Sequence, residues 1–226
     1  MTTPDHLLAS DQGTSSTRAI VFDRAGTVVA TAQRPLTQHY PQDGGVEHDP
    51  EEIWQATVAV CREAVAGVAS DRIAAAGITN QRETCLLWDR ATGQPIHNAI
   101  VWQDRRGAEM CRTLEAAGHS ELVRTTTGLR LDSYFSATKV AWLLDYVPGA
   151  RAKAENGDLA LGTIDTFLLW RFTSGAHHTT DATNAARTML FDIHNQCWSD
   201  ALCTLFGVPQ AILPDVQDCT ADFGVM

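Results

Sequence analysis

The chain has 226 residues, of which 44% are hydrophobic and 19% charged, and its formal net charge is −10 at pH 7. This length allows a sizeable buried core, as one large domain or two small ones. The acidic balance excludes a general nucleic-acid-binding surface, which would be basic, although a local cationic pocket for a nucleotide is compatible with it.

The cysteines, the histidines and the first residues exclude several classes of site. Six cysteines form no Cys-x-x-Cys pair and eight histidines form no His-Glu-x-x-His, so no zinc site is expected. The chain does not open with a basic region and a long apolar core, and no apolar run reaches the length of a membrane helix. Free cysteines without a secretion signal favour a cytoplasmic protein with no membrane insertion.

Hydrophobic periodicity predicts an α/β domain with a mixed sheet. A meander of three antiparallel strands opens the chain, and Asp49 then caps a helix whose first residue is Pro50. The apolar run 73–79 is predicted as a central strand parallel to the first. The predicted strands are 7–11, 17–23, 27–34, 73–79, 84–89, 99–102 and 159–161. The predicted helices are 50–69, 105–117 (capped by Asp104), 119–125, 136–146, 148–157, 164–172 and 199–206, and 176–194 is expected to be irregular to extended.

The turn between the first two strands, within residues 11–18, has the chemistry of a phosphate-binding loop. Gly13 permits positive φ and a close approach of the backbone to an anion. Arg18 adds a permanent cation with a forked geometry suited to phosphate. The hydroxyl donors are Thr14, Ser15 and Ser16. An ordinary polar hairpin turn would use the same residue types, so these residues alone leave both interpretations open.

Asp11 stands at the start of this turn, and its carboxylate suits Mg²⁺ either directly or through water. Ligands of open α/β sheets gather at the carboxyl ends of strands. Asp11 and residues 80–83 both follow predicted strands, so they are candidates for one cleft.

A second polar cluster suits a polyol. Arg82 and Glu83 follow a strand, where a guanidinium beside a carboxylate offers donors and acceptors to neighbouring hydroxyls. Trp102 and Tyr134 could each pack on a carbon skeleton, and the phenol could also bond a hydroxyl. The alternatives are a surface ion pair for Arg82 and Glu83, and core filling for Trp102.

The remaining polar residues are predicted to have structural roles only. Lys139 and Asp145 are expected to be solvent-facing charges on helix 136–146. Asp165, Asp181 and Asn184 are expected to cap or brace loops.

Several stretches, in order along nearly the whole chain, resemble the FGGY carbohydrate-kinase family. The match around Arg82 and the Tyr134 segment resembles the members that act on glycerol rather than on xylulose or gluconate. The stretches are Asp11-Gln12-Gly13-Thr14-Ser15-Ser16, Val46-Glu47-His48-Asp49-Pro50, Gly77-Ile78-Thr79-Asn80-Gln81-Arg82-Glu83-Thr84, Asn98-Ala99-Ile100-Val101-Trp102-Gln103, Thr127-Gly128-Leu129, Tyr134-Phe135-Ser136, Gly162-Thr163-Ile164-Asp165-Thr166, Thr180-Asp181, Thr183-Asn184-Ala185 and Arg187-Thr188-Met189-Leu190-Phe191.

The resemblance implies a ribonuclease-H-like, actin-like ATPase fold, with two such domains around a cleft. It also implies transfer of the γ-phosphoryl group of ATP to glycerol, with Mg²⁺ as cofactor. The alternatives are a kinase for another polyol or ketose and a non-catalytic fragment that binds polyol or nucleotide. The implied roles are phosphate contact by Thr14, Ser15, Ser16 and Arg18, Mg²⁺ placement by Asp11, glycerol binding by Arg82, Glu83 and Tyr134, and packing on glycerol by Trp102.

The Gly-Asp-Gln segment that carries the general base in the family does not occur in this sequence. Residues 1–226 therefore resemble an amino-terminal domain, incomplete at its carboxyl end and without the second domain. No catalytic base is assigned within the chain, and negligible kinase activity and poor solubility are expected of these residues alone. The sequence leaves open whether the protein forms a homo-oligomer.

Overall fold

The computed structural model describes residues 4–225, so residues 1–3 and 226 of the predicted domain lie outside the description. Its strands are β1 (His6–Gln12), β2 (Ser16–Asp23), β3 (Val28–Pro35), β4 (Glu47–His48), β5 (Ile73–Asn80), β6 (Cys85–Asp89), β7 (Ala99–Ile100), β8 (Leu159–Thr163), β9 (Thr179–Asp181), β10 (Phe191–Asp192), β11 (Cys197–Trp198) and β12 (Asp215–Gln217). Its α-helices are α1 (Pro50–Val65), α2 (Ala108–Ala116), α3 (Ser120–Thr127), α4 (Ser136–Tyr146), α5 (Ala150–Glu155), α6 (Ile164–Phe172), α7 (Ala182–Ala185) and α8 (Asp200–Phe206). Short 3-10 helices lie at Ser70–Arg72 and Gln210–Ile212.

These elements form two units. The first unit contains the described residues up to Gln38 together with His48–Gln81, and the second contains His39–Glu47 and the chain from Arg82 onward. Over residues 4–225, no helix is both long enough and apolar enough to span a membrane.

The sheet of the first unit has the order β3-β2-β1-β5. β1, β2 and β3 pair antiparallel, as the predicted meander requires, and β5 pairs parallel with β1. Helix α1 begins where the sequence predicts, because the Asp49 carboxylate accepts from the backbone N–H of Glu51 and Pro50 occupies the first turn. The core between sheet and helix is formed by Leu8, Ala19, Val21, Ala32, Val60 and Ala64.

The prediction that β5 is a central strand is wrong. β5 lies at the edge of its sheet in the described chain, and residues 74–77 are exposed. A run of alanine and glycine fits a buried strand and an exposed one equally well, since such small side chains bring little hydrophobic area to either. The side chains of β5 therefore do not determine whether it lies at the centre or at the edge of the sheet; its pairing with other strands does.

The second four-stranded sheet, ordered β4-β7-β6-β8, is built mainly from the second unit. β6 pairs antiparallel with both β7 and β8. The side chains of β6 are covered on both sides of the sheet. Leu87 belongs to a core with Val140 and Leu143 of α4, whereas Trp88 meets Phe167 of α6 edge-on at 5.5 Å. This two-sided burial holds the end of the strand, next to Glu83, in place.

Two further elements differ from prediction. Asp104 does not cap α2, which begins at Ala108 after Gly107; the Asp104 carboxylate instead accepts from the N–H and guanidinium of Arg106 and from the N–H of Val46. The segment 176–194 is more regular than predicted, since it contains β9, α7 and β10. The Asp181 side chain caps α7 by accepting from the N–H of Asn184, which confirms the predicted bracing role.

The prediction for Lys139 is wrong, whereas the prediction for Asp145 is confirmed. Lys139 is 0% exposed, although it lies on the same helix as the exposed Asp145, which pairs with Arg151. Charged residues on a helix usually face water, but three backbone carbonyl groups accept hydrogen bonds from the buried Lys139 ammonium and compensate its burial.

We expect Gly162→Ala to lower the free energy of unfolding by about 1–3 kcal/mol, because overpacking a core forces side chains out of their preferred rotamers. An added Cβ would lie 2.7 Å from the Cβ of Thr166 and 2.8 Å from the ring of Trp88. Urea denaturation of both proteins measures the change. Gly77→Ala is the matched control, since no atom lies within 4 Å of its added Cβ. Equal stability of the Gly162 variant and the parent chain would contradict the prediction.

Candidate functional site

The hydroxyl-rich turn connects β1 to β2 in the first unit, and its backbone closes on itself. The Gly13 N–H donates to the carbonyl oxygen of Ser16 at 3.0 Å. A Cβ on Gly13 would lie 3.0 Å from that same oxygen. Gly13 is not among the glycines with positive φ, so that part of its predicted role is wrong. Glycine suits this position because of the close approach to the Ser16 oxygen rather than because of a left-handed backbone.

The cation and one hydroxyl of the turn are connected through a glutamine on β3. Arg18 Nε donates to Gln33 Oε1 at 3.2 Å, and Gln33 Nε2 donates to Ser16 Oγ at 2.8 Å. Arg18 is also the direct antiparallel partner of Asp11. Paired residues point to the same face of a sheet, so the carboxylate, the guanidinium and the hydroxyl share one face beside the turn.

The base of the turn is held by the amide side chains of Gln12 and Gln81, a bracing role that the sequence pattern did not indicate. Gln12 is fully buried, and its amide nitrogen donates to the Gly13 carbonyl at 2.7 Å. Gln81 Nε2 lies 3.1 Å from Gln12 Oε1, 3.3 Å from the Gly13 carbonyl oxygen and 3.2 Å from His48 Nδ1. The backbone N–H of Gln81 also donates to the Gln12 carbonyl at 2.7 Å. These bonds fix the turn to the end of β5 and so preorganise it.

The residues around the turn fit Mg²⁺ only as a partial ligand set. Among residues 4–225, no group of three or more His, Cys, Asp or Glu side chains could hold a metal ion. Mg²⁺ commonly keeps several waters and takes one or two carboxylates together with substrate phosphates. A single carboxylate at Asp11 agrees with that mode of binding and not with an all-protein cage.

The second cluster lies in the second unit, and Glu83 has an unusual backbone there. Its φ is 64°, in the left-handed region that a non-glycine residue rarely adopts. The Thr84 N–H donates to the Arg82 carbonyl at 2.8 Å, which closes a tight turn around Glu83. The Ser136 hydroxyl donates to the Glu83 carbonyl at 2.9 Å and supports this conformation. Such strained residues are concentrated at functional sites.

The carboxylate of Glu83 is paired with Arg187, to which the sequence pattern assigned no role in the site. The Glu83 side chain is 3% exposed, and Arg187 Nε donates to its Oε1 at 2.6 Å. Arg82 is exposed. The alternative of a surface ion pair between Arg82 and Glu83 is therefore wrong, because Glu83 is buried and its guanidinium partner comes from the segment after α7.

The two aromatic candidates meet beside this ion pair. The rings of Trp102 and Tyr134 are 5.4 Å apart, and the guanidinium of Arg187 lies 5.9 Å from the Tyr134 ring and 4.9 Å from that of Phe135. The Trp102 N–H donates to Thr84 Oγ1 at 3.1 Å. Trp102 is only half-buried, so it does not simply fill the core. The structure thus brings Glu83, Trp102 and Tyr134 together, with Arg187 in contact with two of them.

Asp165 is a buried carboxylate with a bracing role, as predicted. It accepts from the hydroxyls of Thr163 at 2.5 Å and Thr180 at 2.6 Å. Burial raises the pKa of Asp165 above its usual range. These bonds connect α6 to β9 and thereby support the segment that leads to Arg187.

Comparisons with known proteins point to a single family. A sequence profile described as "FGGY family of carbohydrate kinases, N-terminal domain" matches residues 6–226. The glycerol kinase of Roseobacter denitrificans is 56% identical over 222 residues, which cover 97% of this chain and 45% of that protein. The glycerol kinase of Rhodospirillum centenum is 60% identical over 220 residues, which cover 96% of this chain and 44% of that protein.

A solved structure agrees with these matches. The crystal structure of Plasmodium falciparum glycerol kinase with ADP has a TM-score of 0.92 and 33% identity, and covers 98% of this chain and 45% of the other. The likeness confirms the predicted actin-like ATPase fold. The chain spans somewhat less than half the length of the curated relatives it matches.

Proposed function

The chain belongs to the FGGY family of carbohydrate kinases, and from this we propose that the protein phosphorylates glycerol with ATP to give glycerol 3-phosphate. The observation that carries the proposal is the cluster of Glu83, Tyr134 and Trp102, which offers a carboxylate, a phenol and an aromatic face at one place. Identity of 56–60% with proteins named glycerol kinase supports glycerol as the acceptor.

In this proposal the second unit binds the polyol. The Glu83 carboxylate accepts hydrogen bonds from glycerol hydroxyls while Arg187 holds its Oε1. The exposed guanidinium of Arg82 donates to a hydroxyl, and the Tyr134 phenol bonds another. Trp102 packs on the carbon chain. The carboxylate and the ring are already held in place, so glycerol binding orders few protein groups.

The first unit binds the nucleotide phosphates in this proposal. The hydroxyls of Thr14, Ser15 and Ser16 and the guanidinium of Arg18 donate to phosphate oxygens. Asp11 binds Mg²⁺ together with water and phosphate. When bound, Mg²⁺ neutralises charge on the transferring phosphoryl group. No described residue is assigned as the general base, and a cytoplasmic location stays a prediction.

We expect the full gene product, supplied with ATP and Mg²⁺, to phosphorylate glycerol with a kcat/KM at least about 100-fold above that for xylulose or gluconate, since a site that hydrogen-bonds particular hydroxyls discriminates strongly. A coupled assay for ADP release over a panel of polyols and ketoses measures this ratio. A ketose as the best acceptor would replace glycerol in the proposal. Binding of glycerol without turnover would favour the non-catalytic alternative, and neither binding nor turnover would remove the proposal.

A further inference from the structure

Lys139 is a buried cation that the proposed reaction does not use. It lies in the first turn of α4 and is 0% exposed. Its Nζ donates to the backbone carbonyls of Ser133 at 2.5 Å, Tyr134 at 2.8 Å and Phe135 at 3.0 Å. An ammonium group has three N–H donors, so three consecutive carbonyl oxygens satisfy it completely.

This arrangement determines the shape of the loop before α4. Successive carbonyls of an extended strand point in alternating directions, so three of them converge on one ammonium only because residues 133 and 134 form a turn. Without the ammonium, the carbonyls of this buried segment would lose a hydrogen-bond partner, which is costly. The loop conformation and the Lys139 charge therefore depend on each other.

The clamped segment contacts both parts of the proposed polyol site. The Tyr134 N–H donates to the Asp132 carboxylate at 2.8 Å, so this residue is fixed at its N–H as well as at its carbonyl. Ser136, directly after the clamp, donates to the strained Glu83 backbone at 2.9 Å. Displacement of the segment would shift the Tyr134 ring and release the support under Glu83 together.

We infer that Lys139 is a positioning residue for the polyol site, which clamps the Ser133–Phe135 carbonyls so that Tyr134 and Glu83 face the same substrate. The inference rests on the proposed function, because it assigns Tyr134 and Glu83 to glycerol. Lys139 itself does not touch the substrate.

The charge of Lys139 gives the clamp a pH dependence. Burial lowers its pKa to about 8, so the ammonium predominates at neutral pH. The titratable groups that face it are Cys85, Cys111, Glu83 and Asp104. Burial raises the pKa of Cys85 to about 12 and that of Cys111 to about 11, so both remain thiols while Lys139 loses its proton. Neutral Lys139 keeps only two donors for the three carbonyls.

The deprotonation of Lys139 does not itself promote global unfolding in this pH range. The pKa of Lys139 is about 8 in the folded chain, well below the value of about 10.4 that a lysine has in an unfolded chain. Between these values the unfolded state binds more protons, so the contribution of Lys139 to the free energy of unfolding rises with pH. Weaker glycerol binding above pH 8 would therefore report a local change at the clamp.

The test compares Lys139→Met with the parent enzyme in the full gene product. We expect the KM for glycerol to rise about tenfold or more, while the KM for ATP stays within about twofold. The parent enzyme should lose glycerol affinity as the pH rises through about 8, and Lys139→Met should lack this alkaline loss. Lys153→Met is the matched control, because Lys153 is 52% exposed and pairs with Asp89 on the surface.

An unchanged glycerol KM in Lys139→Met, or pH profiles of the same shape in both proteins, would overturn the inference. Hydrogen exchange of the parent chain covers the case in which the variant does not fold. Protection of residues 132–136, corrected for the intrinsic rate, should fall between about pH 7 and about pH 9.5, and constant protection would also overturn it. Absence of glycerol kinase activity in the parent enzyme would instead remove the proposed function, while exchange would still test the clamp.

Discussion

Replacing Arg187 with methionine is expected to raise the KM for glycerol about 10- to 100-fold and to lower the free energy of unfolding by about 3–5 kcal/mol. Both effects have the same origin. Arg187 Nε donates to Glu83 Oε1 at 2.6 Å, and the Glu83 side chain is 3% exposed. Without Arg187 the carboxylate is buried without its cation, which is costly. Glu83 then either keeps its strained backbone with an unpaired carboxylate or turns its side chain toward water and away from the polyol.

The two effects can be separated by a second substitution. In Glu83→Gln combined with Arg187→Met no unpaired charge is left at this pair, so we expect part of the lost stability to return. The glycerol KM should remain high, because Glu83→Gln replaces the carboxylate acceptor with an amide. Steady-state kinetics with varied glycerol and urea denaturation measure the two quantities. Arg124→Met is the control for loss of an arginine, since Arg124 is 64% exposed and pairs with Glu121 on the surface. A glycerol KM in Arg187→Met equal to that of the parent enzyme would refute the role of Arg187.

Replacing Arg106 with methionine is expected to lower the free energy of unfolding of the second unit by at least about 3–5 kcal/mol, more than replacing an exposed arginine of the same unit. The Arg106 side chain is 3% exposed and contacts two buried carboxylates, Glu47 at 2.6 Å and Asp104 at 2.9 Å. Its guanidinium also lies 4.2 Å from the ring of Trp142. Removing one cation leaves two buried anions close together, so repulsion adds to the cost of burial. The free energy of unfolding of a natural domain is only about 5–15 kcal/mol, so this substitution would remove a large fraction of it.

Thermal and urea unfolding, monitored by circular dichroism, measure this loss. Arg112→Met is the matched control, because Arg112 is 67% exposed and pairs with Glu109 on the surface of α2. Adding Glu47→Gln to Arg106→Met removes one of the two buried charges and should restore part of the stability. An Arg106 variant as stable as the Arg112 variant would show that the buried network contributes little.

The position of Trp102 connects this network to the polyol site. Asp104 and Arg106 follow Trp102 in the chain, and the Asp104 carboxylate accepts from the N–H of Val46 at 2.7 Å. The Thr84 hydroxyl accepts from the backbone N–H of Trp102, so hydrogen bonds hold both Trp102 itself and the residues that follow it. The ion network is thus expected to maintain the aromatic wall of the site in addition to overall stability.

Several features of this protein follow from local residue patterns alone. Helix α1 begins at Pro50 because a capping carboxylate and a proline precede two acidic residues, and each of these acts within one turn of the chain. The β1–β2 hairpin and its hydroxyl turn are likewise predictable, because two apolar runs flank Gly13 and the serines. The family was predicted from the order of many short stretches, and the profile match over residues 6–226 confirms it.

Other features depended on the tertiary structure. Arg187 and Glu83 are separated by 104 residues, and Gln81 and Gln12 by 69, so no spacing rule predicts either pair. Lys139 follows the helical pattern of a surface charge, yet the chain places three carbonyls around it. The alanine-rich β5 is compatible with the centre or the edge of a sheet.

The physical reason is the range of the interactions involved. Capping, turn formation and periodicity act over a few residues and are therefore visible in the sequence. Buried charges and amides gain favourable free energy only from the partners that folding brings to them, and those partners can lie anywhere along the chain. The sequence by itself determined which residue types are available for a polyol and a phosphate chain, and the tertiary structure decided which of them are held in place and by which partners.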